Sequence, residues 1–267
     1  MTLSYLDRFG YRPAYPSPAH QAAVEAVVDY FAPAYGVQAV LLTGSCARGV
    51  AAWQSCVDIV ILVSPADRDA FLKHQAPLWK RFLATDPACV SLARQVPWSA
   101  VDWEVSSGEW VPGPHGWTTG ADNYELEIGN TLAWVHPLLL RGPRFESLQR
   151  CYLPYYDEGQ RLERLQMVKQ FAYNNLDHIV PYAERDLLVQ AFKRLYHALE
   201  EYLQALFIHR RIYPIAYDKW LREQVVDILQ EPALYEKLLS LLAMPALTTR
   251  RFRDRVRRLR SLLDLLG

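Results

Sequence analysis

Gly44-Ser45, Asp58, Asp102 and Glu104 are the residues of this chain whose types and spacing suit chemistry on a phosphate. Gly44 permits a backbone conformation closed to residues with a Cβ, and Ser45 then stands where a helix opens, its end lined by backbone N–H groups. Such an opening seats phosphate oxygens. Asp58 follows Gly44 by fourteen residues, inside an apolar run, so its carboxylate can face the same crevice and hold Mg²⁺ or Mn²⁺ against those phosphates. Asp102 or Glu104, on a third strand, would supply a further carboxylate. Two hard acids around a divalent cation beside a phosphate seat are the minimum equipment for phosphoryl or nucleotidyl transfer. Asp58 stands out because an acid inside an apolar strand is costly unless it is paired or used. Asp102 and Glu104 could equally be the wet face of an edge strand.

The elements that must position these groups follow from hydrophobic period and breakers. Ser17 and Pro18 predict a helix start, with the Ser17 side chain as cap, and Val24, Val27, Val28 and Phe31 share one face of that helix. A strand over 37–42 leads into the Gly44-Ser45 turn, and the near-continuous apolar run 57–63 predicts a strand buried on both faces. Phe71, Leu72, Trp79, Phe82 and Leu83 give the next helix its stripe, with Pro77 as a possible kink. Short strands are expected at 90–93 and at 99–106. In the second of these Val101, Trp103 and Val105 point one way and Asp102 and Glu104 the other. Residues 106–122, crowded with Gly, Pro and Ser, read as a loop, and 124–140 resume regular structure as helix or strand. Beyond a boundary near 141–145 the period is helical, over 158–174, 185–209, 218–229, 232–243 and 249–266.

The run Gly44-Ser45-Cys46-Ala47-Arg48-Gly49, then a five-residue spacer, then Ser55-Cys56-Val57-Asp58 on the following strand resembles the signature of the nucleotidyltransferase superfamily, whose fold is shared with DNA polymerase β. That signature is an apolar strand, G-S, one residue, A-R-G, a short spacer and S-D-x-D. Every element matches except the first aspartate, whose place Cys56 takes. The resemblance, to small bacterial members with a C-terminal helical domain, implies an α+β chain: a mixed-sheet domain over 1–142 followed by an all-α domain over 143–267, with the nucleotide in the cleft between. It implies transfer of a nucleoside monophosphate, AMP among the candidates, from a nucleoside triphosphate to a hydroxyl on a small molecule, an RNA or a protein. Asp58 and Asp102 would be the ligands of Mg²⁺ or Mn²⁺, and Asp58, Asp102 and Glu104 the catalytic acids, with Asp102 the first choice for the third carboxylate and Glu104 the other. Gly44 and Ser45 would seat the phosphates, with Arg48 bracing their turn. The stretch "HRRIYPIAYDKW" at 209–220 is similar to a basic-aromatic segment that faces the nucleotide in such proteins, and its Lys219 would reach the triphosphate.

Cys56 divides the reading. Mg²⁺ prefers oxygen donors and a thiol is soft, so Cys56 does not stand in for a carboxylate, and one metal position is weakened or lost. The chain is then a transferase working with a reduced metal set, a catalytically degenerate relative serving as a nucleotide-binding or partner-binding module, or a protein in which Cys56 is a redox-sensitive replacement. Composition narrows the partners. Lys and Arg number 29 and so do Asp and Glu, which removes any whole-molecule field toward nucleic acid or anionic membrane. Local attraction stays open through the seven arginines from Arg250 to Arg260, which could grip RNA or an acidic protein, while Phe252, Val256, Leu259 and Leu263 mark the apolar stripe of the same helix. Four cysteines without a C-x-x-C pair predict free thiols, and no run approaches a membrane span, so the expected location is the cytoplasm.

Overall fold

The computed structural model describes residues 4–112 and 116–266; residues 113–115, within the loop expected over 106–122, lie outside them. The architecture is α+β, a mixed four-stranded sheet with helices and a separate helical region. The chain divides into two compact units: Met1–Trp110 with Glu127–Leu153, and Val111–Leu126 with Pro154–Gly267.

The first unit runs α1 (Tyr5–Arg8), α2 (Pro18–Phe31), β1 (Val37–Thr43), α3 (Gly44–Arg48), β2 (Val57–Val63), α4 (Arg68–Thr85), α5 (Pro87–Ala93) and β3 (Val101–Ser106). Helix α6 (Tyr124–Ile128) begins in the second unit and ends in the first, where a π-helical turn at Gly129–Ala133, β4 (His136–Leu140) and α7 (Arg144–Tyr152) follow. The strand order is β3-β2-β1-β4, with β2 and β3 parallel and the other two pairs antiparallel. One sheet face, formed by Val40, Leu42, Val57, Ile59, Ile61 and Val101 among others, packs on Val24, Val27 and Phe31 of α2, Phe71 and Trp79 of α4 and Leu92 of α5. Trp103 continues that face, stacked on Phe31 at 5.7 Å between ring centroids. Pro77 sits inside α4 without ending it.

Two local expectations need correction. Residues 90–93 are helical, not extended, because the Asp86 carboxylate accepts from the Ala88 and Cys89 amides and Pro87 occupies the first turn of α5. Ser17 does precede α2 with Pro18 at its start, yet its side chain makes no cap bond. Its hydroxyl instead joins His20 Nδ1 at 2.7 Å and donates to Gln95 Oε1. The ambiguous stretch over 124–140 is both things in turn: α6 and the π-turn, then β4.

The second unit is built on α8 (Glu158–Glu184) and α9 (Leu188–Arg210), which pack along their lengths with α11 (Thr249–Asp264) against both; α10 (Pro232–Leu242) follows a π-helical turn at Glu223–Ile228. Helix α8 continues past Asn174 and through Pro181. Its core holds a polar knot. Fully buried Glu125 accepts from Arg164 Nε at 2.6 Å, from Tyr156 Oη at 2.7 Å and from Gln204 Nε2 at 2.7 Å, and Arg164 also reaches Asp122. The guanidinium lies over the Tyr124 ring, 4.6 Å from its centroid.

Glu200 on α9 gives this unit a pH dependence. Burial first, then the like charges of Asp218 and Glu201, push its carboxyl from 4.5 up to about 7. The folded state therefore binds this proton more tightly than the unfolded chain does, so the contribution is fully present below the unfolded value and is lost as pH rises through about 7. In Glu200→Gln the group cannot ionise. Its melting temperature, relative to the parent, should rise between pH 4.5 and 7 and then level off; an offset unchanged across that window would count against this origin.

Candidate functional site

Strand β1 delivers Thr43 to Gly44, whose φ of +67° lies in the left-handed region. A Cβ at this position would collide with Oδ2 of Asp58, so glycine is required both for the turn and for the carboxylate pressed against it. Ser45, Cys46, Ala47 and Arg48 are all buried in α3, which closes at Gly49 with φ 73°. At five residues this helix carries only a small dipole. Arg48, 2% exposed, donates from Nη1 to the Gly44 carbonyl at 3.0 Å, and the Ala14 amide donates to the Cys46 carbonyl at 3.0 Å. Buried arginine and incoming N-terminal chain thus pin the turn from behind.

The acids meet through sheet register. Asp58 pairs with Asp102 across the parallel β2/β3 ladder and with Thr43 across the antiparallel β1/β2 ladder. Register partners share a face, so Thr43, Asp58 and Asp102 all lie opposite the surface that packs on α2, α4 and α5. Glu104 pairs with Val60 one step along that same face, and both it and Asp102 are exposed. Cys56 completes the group: ligand-type atoms of Cys56, Asp58 and Asp102 lie within 4.8 Å of one another. Glu104 is outside this cluster. Lys219 belongs to the second unit, where it is exposed and its carbonyl accepts from Gln224 Nε2.

Cys56 and Asp58 are chemically coupled. The thiol donates to Asp58 Oδ1 at 3.3 Å, while Cys46 donates to the Cys56 carbonyl at 3.8 Å. Burial first, then the charge and hydrogen bond of Asp58 and the charge of Asp102, push Cys56 up to about 12; burial and Asp58 do the same for Cys46. Both sulfurs are therefore protonated at neutral pH.

Thr43 was not legible as a site residue. Its Oγ1 is buried and has no hydrogen-bond partner among the described residues, although the residue is only 8% exposed and stands directly across from Asp58. A threonine ending an apolar strand gives no warning of this, because its neighbour is fixed by strand pairing. The arginine-rich helix α11 buries Phe252, Leu259 and Leu263. Four of its arginines are engaged with acids: Arg253 with Glu184, Arg255 and Arg258 with Asp254, and Arg260 with Asp177. No helix among the described residues is long and apolar enough to cross a membrane.

No family model and no curated protein matches the chain. Among solved structures, the chain is similar to a nucleotidyltransferase-like protein from Exiguobacterium sibiricum, with a TM-score of 0.42 and 13% sequence identity, over 92% of this chain and 74% of that one.

Proposed function

We propose that the cluster at the Gly44 turn is a nucleotidyl-transfer site, which passes a nucleoside monophosphate, AMP as the leading case, from a nucleoside triphosphate to a hydroxyl acceptor on a small molecule, RNA or protein. The observation that carries this reading is the side-by-side placement of Asp58 and Asp102 across two parallel strands, with the Gly44 backbone held against the Asp58 carboxylate. Gly44 leaves room for the Asp58 carboxylate where any side chain would displace it. Ser45 follows Gly44 in the same turn, and Arg48 keeps that turn in shape by holding the Gly44 carbonyl. Asp102 and Glu104 are exposed on the same face, and one of them would take the proton of an incoming hydroxyl.

The residues fit one divalent ion on Asp58 and Asp102 better than a pair of Mg²⁺ or Mn²⁺ ions, because the third donor is a thiol. A bound ion would supply positive charge to the phosphate oxygens. Positioning by the turn and the two strands contributes the rest. The second reading, a nucleotide- or partner-binding module without transfer, is favoured by one feature, the thiol of Cys56 in place of a carboxylate.

Incubation of the protein with labelled ATP, GTP, CTP and UTP and candidate acceptors, with Mg²⁺, Mn²⁺ or Zn²⁺, separates the two. Transfer should be detectable in the native chain, stronger with Mg²⁺ in Cys56→Asp, and abolished in Asp58→Asn. If neither the native protein nor Cys56→Asp moves label while nucleotide still binds without regard to Mg²⁺, the module is the correct reading.

A further inference from the structure

We infer that Cys56, Asp58 and Asp102 form a site for a single thiophilic divalent ion, Zn²⁺ in kind, rather than for the hard Mg²⁺ of an all-carboxylate centre. The inference names the ion of the site discussed above, and it depends on the transfer reading only for what that ion is used for. Three observations lead to it. The donor set is one sulfur and two carboxylates, with ligand atoms already within 4.8 Å of one another. A tetrahedral ion with one sulfur at ~2.3 Å and oxygens at ~2.0 Å separates sulfur from oxygen by about 3.5 Å. The Cys56 Sγ to Asp58 Oδ1 distance of 3.3 Å is close to that spacing, so these two ligands need little movement.

The third observation lies outside the cluster. Thr43, more than nine-tenths buried and with an Oγ1 that has no partner among the described residues, is the register partner of Asp58 on β1. A buried hydroxyl left unsatisfied is unfavourable, and a water on the ion beside Asp58 would give it a partner. Three protein ligands and one open position are also the pattern of zinc sites that engage a substrate.

Selectivity follows from donor type. Sites containing sulfur bind Zn²⁺ ahead of Mn²⁺, and Mg²⁺ resists both the thiolate and the loss of its water shell. On binding, the Cys56 S–H bond breaks, the proton passes to solvent, and the sulfur lone pair forms the bond to the ion. The ion's two charges then offset two of the three negative charges of the thiolate and carboxylates.

The full-length protein, stripped with a chelator and desalted, can be titrated with Zn²⁺ against a chromophoric chelator and separately with Co²⁺ as the spectroscopic probe. We expect one ion per chain, a near-ultraviolet sulfur-to-cobalt charge-transfer band, and Zn²⁺ that excess Mg²⁺ does not displace. Cys56→Ser should lose the band and weaken Zn²⁺ by about tenfold or more, since loss of even an outer-shell partner costs that much. Asp102→Asn, a change at an exposed position that the fold tolerates, should weaken Zn²⁺ comparably and keep the band. Cys151→Ser, at the exposed cysteine of α7, should alter neither. Zn²⁺ binding below one per chain, a band that survives Cys56→Ser, or undiminished affinity in Asp102→Asn would overturn the assignment. Zn²⁺ held tightly by a protein that transfers no label keeps the ion and removes the transferase; label moved with Mg²⁺ by a protein that ignores Zn²⁺ does the reverse.

Discussion

Arg164→Met is expected to destabilise the helical unit by about 3–5 kcal/mol, the range for removing one partner of a buried ion pair. Glu125, with no exposed surface, would lose two charge-assisted bonds at 2.6 and 2.8 Å, keeping Tyr156 and Gln204 as donors, and Asp122 would lose its guanidinium contacts, keeping Gln204 and the Tyr124 amide among its donors. The methionine stem replaces the packing of the arginine stem, so the loss isolates the head group. Arg164→Lys keeps the charge but not the two-pronged geometry and should fall between the two. By contrast, Arg210→Met breaks an exposed pair with Glu231 and should cost less than about 1 kcal/mol. Urea unfolding followed by circular dichroism measures all three. Equal losses in Arg164→Met and Arg210→Met would show that burial does not set the scale here.

Gly44→Ala should damage the candidate site far more than its single methyl suggests. Two penalties act together: the φ of +67° disfavours any L-residue, by ~1–2 kcal/mol, and the new Cβ would collide with Asp58 Oδ2. Gly142 supplies the control, since its φ is +71° but an added Cβ would meet nothing within 4 Å. Gly142→Ala should therefore show only the backbone cost and leave ion binding and transfer unchanged. In Gly44→Ala the carboxylate must swing away, and a displacement of ~1 Å at reacting groups is enough for about a 10²-fold loss of rate. Denaturation compares the stabilities, and Co²⁺ titration with labelled-nucleotide transfer compares the sites. Matching site activity in the two variants would mean that the Gly44 to Asp58 approach has no role there.

The extent to which this arrangement was readable varies with the range of the interaction. Alternation along 101–106 placed Val101, Trp103 and Val105 on one face and Asp102 and Glu104 on the other, and the sheet preserves that division because strand period is a local property. Gly44 as a turn residue was readable for the same reason, its conformation depending on a single missing Cβ. Residues 90–93 misled because four apolar-rich residues carry no distinct period, while the Asp86-Pro87 start signal just upstream outweighed their strand propensity. The stretch over 124–140 changes from helix to strand within one apolar run, and only pairing of β4 with β1 decides where.

By itself, then, the order of residues determined most elements, the faces they bury, the glycine turn and the acid that follows it, since all of these depend on neighbours a few positions apart. Only the tertiary structure decided that β2 and β3 run parallel with Asp58 level with Asp102, that Thr43 is the register partner of Asp58 on β1, and that Arg164 closes on Glu125. Those pairings join segments distant in sequence. Their register is selected by which whole-face packing buries the most apolar surface, a sum over the folded unit that no short window contains.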